Sequence, residues 1–171
     1  VVCQLNGQTV LVDGFKRLRA ARTLKGSHQL MGRFLEADEQ AAKAAIFNLN
    51  RITSRPVELE EAWIIYALVI DDGLQQVEVA QMLGRHKSWV NRRLALIERL
   101  CSEAREALRL GLITPTGARH LTRLPRGNQN EAMQSASHAA LTSRELSHMV
   151  DLLIASSTQQ QAQFVLEQPR Q

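Results

Sequence analysis

Residues 73–100, GLQQVEVAQMLGRHKSWVNRRLALIERL, carry two short apolar stripes separated by one glycine, with positive charge gathered beyond it. Val79, Ala80 and Leu83 make one face of a first helix, and Val90, Leu94 and Ile97 recur at i, i+4 and i+7 along a second. Gly84 stands between them, where a left-handed residue ends a helix at least cost. The two stripes can share one small core, and Ala80 is small enough to let the helices cross closely, so the pattern predicts a helix-turn-helix. Arg85, His86, Lys87, Ser88, Asn91, Arg92 and Arg93 are left for the exposed surface at and beyond the start of the second helix, with Gln76 joining them from the first.

That donor-rich set suits duplex DNA. Lys and Arg neutralise phosphates and release counterions, whereas Asn and Arg form paired hydrogen bonds to adenine and guanine edges in the major groove. The plainer alternative is a helical hairpin with a solvated basic face, against which the segregation of charge speaks. Arg93 stands where many helix-turn-helix units bury an apolar residue, so Leu94 is expected to supply that packing. Trp89 either touches the sugar-phosphate backbone or closes the core of the motif, and packing is the commoner fate of a tryptophan.

Composition agrees with this reading. A chain of 171 residues makes one large or two small compact units, and 44% apolar but only 4% aromatic residues suggest cores of Ala, Leu, Val and Ile on helices. The net charge of +4 favours an anionic partner, although the clustering says more than the total. Glu58, Glu60, Glu61, Asp71 and Asp72 precede the motif, so the sign of the charge reverses along the chain. Cys3 and Cys101 have no Cys or His partners at metal spacing, so neither a metal site nor a disulfide framework is expected, and a reducing compartment is the natural home. No run approaches the ~20 apolar residues of a membrane span, and no membrane partner or signal peptide is expected. A Val-Val start and a Gln-rich end suggest a piece of a longer protein.

The expected fold is mainly α, with a small α/β portion at the start. Thr9–Val12 reads as a strand running through Asp13 and Gly14 into a basic helix from about Phe15 to Leu24, with Lys16, Arg17, Arg19, Arg22 and Lys25 upon it. Leu18 and Ala21 form its buried side, with Phe15 a further candidate. Met31–Leu35 is a second expected strand, followed by an Ala-rich helix from about Glu39 to Asn50. From Thr53 onward the pattern is helical. Ser54 is a capping residue, Pro56 fits a first turn, and Leu59, Ala62, Trp63, Tyr66, Ala67 and Ile70 form one apolar face. Helices are expected over Ser102–Leu110, stopped by Gly111, from Thr114-Pro115 to before Pro125, and over about Asn128–Ala140. Thr142 with Glu145 reads as the capping box of a further helix to about Ile154. Residues 156–171 read as a Gln-rich tail or linker with at most one short helix.

A second candidate site is the passage from strand through Gly14 into the basic helix. Unsatisfied N–H groups and the positive end of the helix dipole meet there beside Lys16 and Arg17, an arrangement suited to phosphate. Taken alone it is a weak signal, because a basic amphipathic helix is more often solvated than ligand-binding.

The order of Asp-Gly-Phe-Lys-Arg-Leu-Arg-Ala-Ala (13–21), Asn48-Leu49-Asn50-Arg51, Pro56 through the helix-turn-helix, Gly111-Leu112-Ile113 and Leu141-Thr142-Ser143-Arg144-Glu145-Leu146 resembles the ParB family of chromosome and plasmid partition proteins, over about residues 9–154. The resemblance implies an N-terminal domain that binds CTP with magnesium and a central helix-turn-helix domain that recognises a palindromic centromere-like site. It also implies a C-terminal dimerisation domain and a ParA-type ATPase partner, in a protein of the bacterial cytoplasm associated with nucleoid or plasmid. Gly14, Lys16 and Arg17 fall on the family's Gly-Glu-Arg-Arg phosphate motif, and Asn48 and Arg51 on its Glu-Asn-x-x-Arg motif. Phe15 and Phe47 replace the glutamates of these motifs, and the second glutamate helps hold magnesium in the family. No catalytic residue is therefore assigned, hydrolysis of CTP is not expected, and Phe47→Glu is expected to tighten magnesium-dependent nucleotide binding in a chain that includes the residues before Val1.

The division expected from these motifs is a partial nucleotide or clamp domain over 1–52, a helix-turn-helix DNA-binding domain over 53–155, and the tail over 156–171. Two functional classes remain: a sequence-specific DNA-binding partition protein or ParB-like transcriptional regulator, resting on 84–96, and a nucleotide-dependent switch or ParB-like nuclease, resting on 14–17 and 48–51. The first is favoured, because its residues are intact.

Overall fold

Asn6-Gly7 is the tightest turn in the chain's opening and sets its architecture. Both residues have positive φ, 51° and 78°, the pairing that a two-residue hairpin turn requires and that Asn-Gly adopts most cheaply. The structure, a computed structural model, describes residues 1–24, 29–53 and 58–170. The turn joins β1 (Val2–Leu5) to β2 (Gln8–Leu11) in antiparallel register, Val2 opposite Leu11 and Leu5 opposite Gln8. The strand expected at Thr9–Val12 is thus β2, the second arm of a hairpin whose first arm sequence patterning overlooked. β3, only Phe34–Leu35, pairs with β1 in parallel, giving the order β2-β1-β3.

Beyond Gly14, held at φ 101°, helix α1 covers Phe15–Thr23. Ala21 is buried, but Phe15 is 59% exposed and takes no part in the helix's inner side. Asp38 caps α2 (Glu39–Thr53), its Oδ1 accepting the Ala41 N–H at 2.7 Å. Cys3 and Val12 are buried against Ala42, with Leu5, Leu35 and Leu49 packed around them, so this part of the core lies between the sheet and α2. Lys43 of α2 reaches both oxygens of Asp72, at 2.7 and 2.9 Å.

The remaining elements are helical, as expected. α3 (Glu58–Tyr66) runs into one π-helical turn, Ala67–Asp71, closed by the Asp72 N–H donating to the Ala67 carbonyl at 3.0 Å. Leu59, Ala62, Ile65 and Leu68 are the buried apolar residues of this segment, whereas Trp63 and Ile70 are each 47% exposed. The apolar face is therefore shifted from the one expected: burial follows a three-residue spacing, which continues through the wide turn. The expected cap Ser54 and first-turn Pro56 lie outside the described residues, as does Lys25.

α4 (Gln76–Met82) and α5 (Lys87–Glu98) follow, then α6 (Ser102–Arg109), α7 (Pro115–Leu121), α8 (Arg126–His138), α9 (Ser143–Ala155) and α10 (Gln159–Glu167). The chain separates into two compact units, Val1–Val57 with Ile64–Lys87, and Glu58–Trp63 with Ser88–Gln171. In the second, α10 packs on α8 and α9, its Leu166 carbonyl accepting from the Ser135 hydroxyl at 2.6 Å. Among the described residues no helix is long and apolar enough to cross a membrane.

Three helices close with the same pair of backbone bonds, in which the residues after the cap donate back to the last turn. In α4 Gly84 and Arg85 donate to Gln81 and Ala80, in α6 Gly111 and Leu112 donate to Leu108 and Ala107, and in α8 Ala140 and Leu141 donate to Ser137 and Ala136. The geometry needs a left-handed residue at its pivot, and Gly84 and Gly111 supply φ of 61° and 75°. Ala140 adopts φ 48° with a Cβ attached, at a cost of about 1 kcal/mol. Ala140→Gly is accordingly expected to stabilise the protein by about 0.5–1 kcal/mol, read as a rise in the urea midpoint, whereas Gly111→Ala should lower it by a similar amount.

Candidate nucleic-acid interface

The turn between α4 and α5 is built by the Gly84 pivot just described, and the Gln75 N–H that opens α4 is satisfied by the Glu78 carboxylate at 2.7 Å. Val79, Ala80 and Leu83 are buried, as are Val90, Leu94 and Ile97, so both stripes read from the sequence face inward. Leu96 and Leu100 join them. Along α5, Lys87, Ser88, Asn91 and Arg92 are exposed. Their spacing of i, i+1, i+4 and i+5 aligns them on one face over the first two turns of the helix. No acidic side chain occurs on α5 before Glu98, at its end. His86, in the turn, is exposed as well, while Arg85 and Gln76 are half-buried.

Arg93 corrects the sequence-based assignment. Expected on the outer surface with the other cations, it is only 7% exposed. Its Nε lies 2.7 Å from Glu61 Oε2, and a terminal nitrogen lies 3.0 Å from Glu58 Oε2, close in charge without hydrogen-bond alignment. The guanidinium sits 5.0 Å over the ring of Trp89, one turn back on α5. Arg119 of α7 approaches the same Glu58 oxygen at 3.7 Å. The position does go inside, as an apolar residue there would, because α3 presents two carboxylates to receive it. Trp89 accordingly packs, half-buried, under the guanidinium.

The far end of α5 is held differently. A helix leaves its last carbonyls without partners, and here side chains from later helices supply them. Arg126 of α8 donates to the Glu98 carbonyl, Gln129 donates to Arg99 at 2.9 Å, and Arg105 of α6 donates to Leu100 at 3.2 Å. Gln129 is fully buried. Its amide also donates to the Leu124 carbonyl at 2.9 Å and its oxygen accepts the Cys101 N–H at 2.8 Å, so one side chain fixes the α5–α6 and α7–α8 junctions together. Sequence reading missed Gln129, Glu58 and Glu61. A signal existed for Gln129 and Glu61: each stands at helical spacing from a buried apolar residue, Gln129 three before Ala132 and Glu61 four before Ile65, where an unpartnered polar group would be costly.

The second candidate site is gathered only in part. A cleft of about 380 Å³ is lined by Gly14, Arg17, Asp13, Leu18, Leu30 and Met31 among others. α1 has no side-chain cap and no acidic residue in its first turn, so its opening N–H groups remain available to an anion. Arg17 leans on Asp13 at 3.4 Å. Among the described residues, Lys16 and Asn48 do not line the cleft and are exposed, and the Arg51 side chain lies outside the described residues. These features fit a phosphate group. They do not fit magnesium, because Phe47, where resemblance expects a carboxylate, is a core residue only 2% exposed.

Two variants test these placements. Arg93→Met leaves Glu61 buried and uncompensated, and is expected to cost about 3–5 kcal/mol by urea denaturation, most of which Arg93→Met combined with Glu61→Leu should restore. Phe47→Glu, expected from sequence to assist magnesium, would place a carboxylate in the core; a loss of at least about 3 kcal/mol is the expected outcome, with no gain in magnesium-dependent binding by calorimetry.

The family model of the ParB HTH domain matches residues 57–154, more than half of the chain. No curated protein matches at a significant level. Among solved structures, the chain is similar to the C-terminally truncated chromosome-partitioning protein ParB from Caulobacter crescentus, crystallised with the centromeric parS site. That likeness has a TM-score of 0.61 at 22% identity, over 88% of this chain and 81% of the other. With the turn, stripes and helix order of that domain in place, the chain belongs to the ParB family.

Proposed function

We propose that this chain is a sequence-specific DNA-binding protein of the partition type, reading the major groove with the exposed face of α5. The observation that carries this reading is the alignment of Lys87, Ser88, Asn91 and Arg92 along the first two turns, on a helix whose other side is buried and whose far end is fixed. Asn91 and Arg92 are the side chains suited to base edges, and Lys87, at the start of the helix, to a phosphate. His86, Ser88, Arg85 and Gln76 supply flanking contacts. Arg93 leaves the contact set and acts from inside. The solved relative was crystallised with a centromeric DNA site. By extension we assign this chain a palindromic site bound by a homodimer of the full-length protein, with a ParA-type ATPase as a further partner.

Fragments of the source genome retained by the protein supply the duplexes for the test. Arg92→Ala should lose about 1–3 kcal/mol on the retained sequence and relax preference at one position, whereas Lys87→Ala should weaken retained and scrambled duplexes alike. Unchanged affinity of both variants for both duplexes would remove α5 as the reading element.

A second reading applies to residues 1–52, as the partial nucleotide domain of the family. The cleft beside Gly14 and Arg17 supports phosphate binding there, of CTP by resemblance, while the buried Phe47 argues against magnesium-dependent turnover. Calorimetry with CTP and Arg17→Ala tests it: loss of binding in the variant supports the site, and rapid turnover by the unmodified protein would overturn the assignment.

A further inference from the structure

α1 concentrates charge in a way its own helix does not favour. Lys16, Arg17, Arg19 and Arg22 fall within nine residues that contain no acid. Lys16 and Arg17 occupy the first turn, where the helix dipole disfavours cations, and Lys16, Arg19 and Arg22 repeat at i, i+3 and i+6, so that like charges sit one turn apart. All four are exposed, and among the described residues only Arg17 has an ion-pair partner, Asp13 at 3.4 Å. Arg22, in the last turn, complements the dipole and Arg17 has Asp13, but the remaining local terms oppose the helix and point to an anion from outside the chain that offsets them.

The cleft does not account for this charge. Of the four cations only Arg17 lines it, and Lys16, Arg19 and Arg22 do not. The three extend about 9 Å along the helix axis at 1.5 Å per residue, a stripe suited to successive phosphates of a polymer rather than to one small ligand. Phe15, 59% exposed, stands at i−4 from Arg19 and is free to lie against the sugar edge of such a backbone.

We propose that the outer face of α1, with Lys16, Arg19 and Arg22, is a second DNA contact that holds the phosphate backbone of a duplex without reading its sequence. This rests on the DNA-binding reading above and adds to it a surface outside the helix-turn-helix, distinct from the cleft. Its signature is ionic: each phosphate contact contributes a slope of about 0.9 to the dependence of log affinity on log salt.

The full chain and a double variant, Arg19→Gln with Arg22→Gln, would be titrated from low to moderate salt against a retained duplex, a random-sequence duplex and a random single strand. Loss of like-charge repulsion should leave the variant folded with an unchanged or higher thermal midpoint. The expected result is a roughly tenfold weaker affinity for both duplexes near 0.1 M salt, a slope reduced by about 2, and an unchanged ratio of retained to random affinity. Lys87→Ala, run in parallel, monitors the helix-turn-helix by its own loss. Undiminished affinity and slope in the double variant, while Lys87→Ala weakens binding, would overturn the α1 contact and leave the reading of α5 standing. A loss confined to the single strand would also overturn it. No binding of any duplex by the unmodified chain would overturn the DNA-binding reading itself.

Discussion

The buried guanidinium of Arg93 is the constraint on which the orientation of α5 depends. A helix that reads base edges must be fixed in rotation about its axis, because a turn of one residue would replace Asn91 and Arg92 at the surface by their neighbours. Apolar packing alone is non-directional and tolerates such rotation. A guanidinium between two carboxylates and over an indole ring does not, since it must meet Glu61 at 2.7 Å and Glu58 at 3.0 Å while lying on Trp89. Exchanging such a group for apolar residues often leaves stability little changed, so its value here lies in geometry more than in stability.

Rotation and tilt are set at different points along the same element. Arg93 works near the middle of α5, whereas Gln129, Arg126 and Arg105 take hold of the chain where the helix ends. Each satisfies a carbonyl that helix geometry leaves open, and the cations among them also complement the negative end of the dipole. The two devices leave the first two turns of α5 clear, with Lys87, Ser88, Asn91 and Arg92 uncovered. Support thus lies behind and beyond the face of α5 that carries Lys87, Ser88, Asn91 and Arg92, an order that leaves these four exposed.

The Gly14 pivot, the uncapped start of α1 and Arg17 retain the physical means of holding a phosphate. Phe47 is buried in the core, so the position that resemblance associates with magnesium serves packing in this chain. A carboxylate restored there would meet a core before it met a metal.

Local order was legible in the sequence wherever the signal was periodic or carried by a turn residue. The helix-turn-helix, its inward stripes, the glycine pivots at 84 and 111, and the Thr142–Glu145 cap all follow from interactions that reach no more than a few residues along the chain. The Asn6-Gly7 hairpin was equally legible and was overlooked. Arg92 and Arg93 mark the limit. Adjacent, identical in type and on the same helix, they point about 100° apart, and nothing local says which goes inside. Glu61, 32 residues earlier, decides it, as Gln129 decides where α5 ends from 28 residues beyond Cys101. A buried polar group is tolerable only where tertiary structure brings it a partner, so the sequence determined which helices form and the tertiary fold alone decided which of their cations remain outside.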